Sequence, residues 1–199
     1  MRLISPRLHG SRRAFTLIEL LVVISIILIL GGLAFPAFQS VQNSARNTQA
    51  KNDLVQIVTA VNAFYTEYGR YPSADTSDVT FGTSTKTNDQ LLNDLRGTNF
   101  AKYNPRDVAF IAPPVAKDAS KPKGGLGPND GRWYDPWGKE YNIRLDTDYD
   151  GAVDNPYSAN AGYNKVDQGA ITWSLGKDGA GGTGDKATGA AKDDVISWQ

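Results

Sequence analysis

Between Arg12 and Pro36 the chain reads RRAFTLIELLVVISIILILGGLAFP, a basic pair, a small residue and then an apolar run that admits few folds. From Phe15 to Phe35 the run has 21 residues and is polar only at Thr16, Glu19 and Ser25. As a helix rising about 1.5 Å per residue it reaches roughly 31 Å, close to the hydrocarbon thickness of a bilayer. A membrane crossing is therefore expected here. Arg2, Arg7, Arg12 and Arg13 all lie on its N-terminal side, so the positive-inside rule keeps that end cytoplasmic and sends the rest of the chain outward. A secretory signal peptide would place its small-residue cleavage site after the apolar run, whereas this run ends in Phe35-Pro36 and the best small-residue junction precedes it, at Ala14.

Glu19 requires an explanation, since a carboxylate inside a lipid-spanning helix costs on the order of 2 to 3 kcal/mol even on mild scales. Two are open. Cleavage after Ala14 would create an amino group on Phe15, four residues away, and the same group on a neighbouring copy would neutralise Glu19 in a packed bundle. Alternatively, Glu19 is an acid at a helix start, near the interface and favoured by the macrodipole.

With basic leader, small residue and FTLIELLVVI, the segment resembles the N-terminal methylation motif of type IV pilins and type II secretion pseudopilins. That resemblance implies cleavage between Ala14 and Phe15 by a prepilin peptidase, N-methylation of Phe15 and use of Glu19 in subunit assembly. Ala14 departs from the glycine usual in the family.

The remaining composition narrows the function. Removing residues 1–14 leaves 17 basic residues against 21 acids, a mildly acidic product with no basic stripe for phosphate contacts, and nucleic acid is not expected as a partner. Without cysteine, no disulfide closes a loop. The one histidine, His9, lies in the leader, so the processed chain has none for general-base or zinc chemistry, and an enzyme is not expected. No GxxxxGK[ST] loop is present to hydrolyse a nucleotide.

Domain organisation is expected as a leader over 1–14, an assembly and membrane helix over 15–37 and an exported domain over 38–199. Gly31, Gly32 and Pro36 interrupt the helix, and Pro36 is expected to kink it, with helical periodicity resuming beyond. Leu54, Ile57, Val58, Val61, Phe64, Tyr65 and Tyr68 recur at intervals of three and four, marking an amphipathic helix to Tyr68 that Gly69 stops. Residues 73–86 read as loop, Asp89 to Arg96 as a short helix capped by Thr87 or Asn88 and stopped by Gly97, and Val108 to Ile111 as a short strand in a proline-rich connection. Further strands are expected at Trp133-Tyr134, Tyr141 to Leu145 and Ala170 to Leu175, with a tight turn at Asp135-Pro136-Trp137-Gly138. The fold class is α+β, a long kinked N-terminal helix, transmembrane then amphipathic, packed on a small antiparallel sheet with long loops. FYTEYGRYP and the DPWG turn resemble the major pseudopilin, and the likeness covers residues 11–72 and 133–199.

Two aspartate clusters are candidate calcium (Ca2+) sites. Asp146, Asp148 and Asp150 alternate ahead of Gly151, and the Ala152 carbonyl with Asp154 completes an oxygen cage, unless the segment is simply a solvated Asp-Gly turn. The tail SLGKDGAGGTGDKATGAAKDDVISWQ resembles the calcium loop that closes the major pseudopilin. That resemblance assigns Asp178, Asp193 and Asp194 as side-chain ligands with the Leu175 carbonyl, and makes Asp185 a rival for Asp193.

The resemblance implies a structural subunit, calcium-stabilised, that waits in the inner membrane as a single-pass protein with its C-terminal domain in the periplasm. It then joins a helical homo-oligomeric filament for type II secretion, with minor pseudopilins and an inner-membrane assembly platform as partners. The alternative is a type IV pilus major pilin or other surface fibre subunit. A third reading, a membrane-anchored calcium-dependent binding module or hydrolase, predicts no assembly, and Glu19 argues against it.

Overall fold

A computed structural model describes residues 15–98, 100–157, 164–181 and 184–198, with the side chains at 33, 34, 36 and 37 also outside the described set. Two compact units result, Met1–Asn43 and Ser44–Gln199. One helix, α1 (Leu17–Tyr68), contributes to both.

In the first unit, α1 opens with a reciprocal cap. Thr16 donates its backbone N–H and its hydroxyl to Glu19 Oε2, both at 2.8 Å, while the Glu19 N–H donates to Thr16 Oγ1 at 3.2 Å. This T-x-x-E arrangement satisfies donors that a helix start leaves open. The helix continues through Pro36, so proline does not end it. Whether the Pro36 side chain kinks it lies outside the described residues. Leu17, Ile18, Leu28 and Leu30 are each more than half exposed, so no described residue covers this apolar surface. Among the described residues, no helix is long and apolar enough to cross a membrane. The fully described apolar stretch, Leu17 to Gly32, has 16 residues and reaches only about 24 Å.

In the second unit, α1 buries one stripe. Ala50, Leu54, Ile57, Val61 and Phe64 are fully covered, spaced at three and four residues as one helical face requires. Val58 is half-buried, Tyr68 packs at the edge of the core, and Tyr65 stays exposed. Gly69 ends the helix at φ +66°, its N–H donating to the Tyr65 carbonyl at 2.7 Å.

Four strands form an antiparallel sheet in the order β1 (Val79–Phe81), β4 (Asn142–Leu145), β7 (Ala170–Ser174), β8 (Val195–Ile196). Two small hairpins accompany it, β2 (Gly125–Leu126) with β3 (Trp133–Tyr134) and β5 (Val153–Asp154) with β6 (Lys165–Val166). Strand β7 is buried on both faces. Ala170 joins the α1 core and the Thr172 hydroxyl donates to the Leu54 carbonyl, while Ile171 and Trp173 point the other way, into a second apolar cluster with Val153, Tyr157, Ala191 and Ile196. Helix α2 (Asp89–Arg96) adds Leu91, Leu92 and Leu95 to the first core and stops at Gly97, φ +60°.

Three local expectations change. Residues 73–86 are not all loop, because Val79 and Phe81 bury against the core and pair with β4. Val108 to Ile111 is not a strand, since the N–H groups of Phe110 and Ile111 donate to the Leu95 carbonyl in the last turn of α2. Asn88 begins α2 but does not cap it with its side chain. Instead its buried amide donates to the carbonyls of Trp133 (2.9 Å) and Tyr141 (3.1 Å) and accepts the Trp133 N–H (3.0 Å), tying the helix start to β3 and to the residue that precedes β4.

Candidate functional site

Three places carry functional potential. At the helix start, Phe15 is exposed and Glu19 is held by Thr16, four residues from the proposed new terminus. Ala14 lies outside the described residues. Single-chain geometry thus gives Glu19 the helix-start role, and a partner from another copy would have to share or displace Thr16.

The second place is set by sheet register. Val79 pairs with Leu145 in antiparallel β1 and β4, which brings the residues just outside the ladder, Asp78 and Asp146, side by side. Carboxylate oxygens of Asp78, Asp146 and Asp148 lie within 4.8 Å of one another. Asp146 is buried and takes the N–H groups of Asp150 (3.2 Å) and Gly151 (2.9 Å), with Gly151 at φ +89° and Tyr149 also left-handed. Asp78 Oδ1 is buried without a hydrogen-bond partner. Burial, and after it the charge of Asp148, pushes the Asp78 carboxyl up from its ordinary range. Of the other residues expected here, Asp150 and Asp154 keep their carboxylates outside this group. Asp150 pairs with Lys165 at 2.5 Å and accepts the Ala152 N–H, which hold its carboxyl below the ordinary range. Asp154 sits exposed on β5, its carbonyl accepting from Arg144. Asp78 was missed because it falls in a Ser/Thr/Asp stretch; only the pairing of β1 with β4 identifies it.

The third place is the C-terminal loop, where Asp178, Asp193 and Asp194 again bring carboxylate oxygens within 4.8 Å of one another. Asp193 Oδ2 accepts the N–H groups of Lys177 (2.5 Å) and Asp178 (3.0 Å). Gly176, at φ +62°, has no room for a Cβ against the Asp193 carbonyl. Asp194 Oδ2 accepts the buried Tyr157 hydroxyl at 2.6 Å, and burial together with Asp194 pushes that phenol well up. Asp185 stands outside the group and accepts the Ala187 N–H, and the Leu175 side chain packs on the second apolar cluster. All-oxygen carboxylate sets such as these suit a hard cation of calcium type, and the unpartnered Asp78 oxygen is the kind of atom such an ion satisfies.

Comparison with known proteins agrees with the N-terminal geometry. Residues 10–35 match the prokaryotic N-terminal methylation motif. A type IV major alpha-pilin of Moraxella bovis is 36% identical over 122 residues, covering 56% of this chain and 76% of that protein. A type IV major pilin protein of Myxococcus xanthus is 40% identical over 65 residues, 33% of this chain but only 30% of that protein. The prepilin peptidase-dependent protein D of Escherichia coli is 41% identical over 65 residues, 33% of this chain and 44% of that protein. No solved structure matches the chain.

Proposed function

The chain belongs to the type IV pilin family, and from that premise we propose that it is a structural subunit of a helical filament built from many copies of itself. The observation that carries this reading is the methylation motif running directly into a helix whose apolar side chains no described residue covers. Uncovered apolar surface on this scale marks a protein or membrane contact. Before assembly the helix resides in the inner membrane with residues 38–199 outside; after cleavage between Ala14 and Phe15 and methylation of Phe15, it packs against the same helix of other copies. Glu19 then exchanges part of its bond to Thr16 for a neighbour's terminal amine.

Two versions of the filament follow from different observations. The pilin relatives favour a surface pilus. The C-terminal carboxylate loop and the turn at Asp135 favour a periplasmic secretion pseudopilus, with minor pseudopilins and an inner-membrane platform as partners. In either version calcium would be held by Asp178, Asp193 and Asp194, and a second ion by Asp78, Asp146 and Asp148. Bound calcium supplies neutralising charge that fastens the loops; the chain's own part is the buried Asp146 and the Tyr157 bond to Asp194, which hold the carboxylates in place.

Deleting the chain's gene and complementing it separates the versions. Loss of surface fibres with secretion intact identifies a pilus, and loss of an exported protein from the medium identifies the secretion filament. If neither is lost and the chain stays uncut in the membrane, filament assembly is refuted.

A further inference from the structure

The second unit carries opposite charge at two places far apart along α1. Near its start, Arg46 and the loop residues Lys117, Lys121 and Lys123 line a groove of about 730 Å³, with the Gln49 amide donating to the Gly124 carbonyl to hold loop against helix. All four cations are exposed, and among the described residues none forms an ion pair. The one acid on the groove, Asp118, is turned to the N–H groups of Ser120 and Lys121 and to the Ser120 hydroxyl. At the other end, Asp148, Asp150 and Asp154 are exposed beside Asp78 and Asp146; Lys165 on Asp150 is the sole ion pair among the described residues there, and Arg144 donates to the Asp154 carbonyl. Tyr149 fixes this loop by stacking on Tyr71 at 5.7 Å and approaching Tyr65 at 6.4 Å.

Gln49 and Tyr65 are 16 positions apart on α1, about 24 Å along the helix. The two charged ends therefore cannot meet within one chain. Copies stacked in the same direction bring the acidic end of one to the basic end of the next, a head-to-tail contact that repeats without closing and so builds an open filament. We propose that the groove of Arg46, Lys117, Lys121 and Lys123 receives the Asp148–Asp154 loop of a second copy. This rests on the filament reading and adds to it the surface by which the outer parts of neighbouring copies fit together.

Absence of cysteine makes the contact directly testable in the full chain. Lys121→Cys with Asp150→Cys in one chain, oxidised in cells that assemble the filament, should give a ladder of crosslinked multimers, while either cysteine alone should give none. Lys117→Glu with Lys121→Glu should lower filament yield by about tenfold, the scale of a few exposed ion pairs, and adding Asp150→Lys with Asp154→Lys should restore it. Asp150 and Asp154 are chosen because their carboxylates stand outside the Asp78, Asp146 and Asp148 group. Filaments that form without the ladder, or reversals that the opposite reversal does not rescue, overturn the proposal. Unrescued loss accompanied by lost binding to phosphatidylglycerol vesicles would instead make the groove's occupant an anionic membrane surface. If the parent chain forms no filament in the same cells, the filament reading itself falls, and that result is distinct from filaments lacking the crosslink.

Discussion

Replacing Asp135 tests the joint between the turn, the sheet and the C-terminal loop. Its side chain is fully buried. One oxygen accepts the N–H groups of Trp137 (2.9 Å), Gly138 (2.7 Å) and Lys139 (2.9 Å), and the other accepts the Ser174 hydroxyl (2.6 Å), which in turn accepts the Gly176 N–H (3.1 Å). Burial pushes the carboxyl up, and these donors hold it down. In Asp135→Ala, Gly138 keeps its bond to the Asp135 carbonyl and exposed Lys139 finds water. The Trp137 N–H and the buried Ser174 hydroxyl lose their acceptor. At 1 to 3 kcal/mol for each stranded group, less the relief of removing a buried acid, the net cost is roughly 3 kcal/mol. Asp135→Asn keeps an acceptor for the three amides and only forces Ser174 to turn its proton, costing about 1 kcal/mol. Urea unfolding of the detergent-solubilised chain, followed by tryptophan fluorescence, measures both. An alanine variant as stable as the parent, or an asparagine variant worse than alanine, would refute this account of the network.

Asp53 accepts the Tyr141 hydroxyl at 2.7 Å in the core, and burial raises its carboxyl pKa. With the folded value above the unfolded one, the native state binds more protons between them, so the parent loses stability as pH rises through that window; Asp53→Asn should remove this slope, at most about 1.4 kcal/mol per pH unit, and be no less stable at neutral pH, as unfolding midpoints from acid to neutral pH will measure. Asn88→Ala strands the Trp133 N–H and two carbonyls in the core and should cost about 3 kcal/mol by the same urea assay. Calcium at about 1 mM should raise the unfolding midpoint of the parent; Asp193→Asn should lose most of that rise, and Gly176→Ala, strained at φ +62°, should lower the midpoint even without calcium.

Much of the architecture was legible where one residue type does one job. The three-and-four spacing from Leu54 to Phe64 identified the buried face of α1, and Gly69 and Gly97 marked helix ends because the left-handed backbone there suits glycine. DPWG marked the turn, and Asp178, Asp193 and Asp194 do converge. What escaped depends on pairing between distant segments. Nothing local in TSDVTF distinguishes a strand from its loop; β1 exists because β4 offers it an edge, and Asp78 meets Asp146 only through that register. Asp150 looked equivalent to its neighbours until Lys165 claimed it from across the β5–β6 hairpin. The helix-start role open to Glu19 in the sequence takes the form of a T-x-x-E cap within FTLIE, with Thr16 three residues away as its partner.

The most direct test of filament assembly is the intact mass of the chain recovered from membranes and from any sheared or sedimented fibres. Both fractions are predicted to contain a chain beginning at Phe15, carrying one added methyl group, with the fibre fraction composed mainly of that species. A membrane chain that retains residues 1–14, with nothing of it in the fibre fraction, would contradict the account.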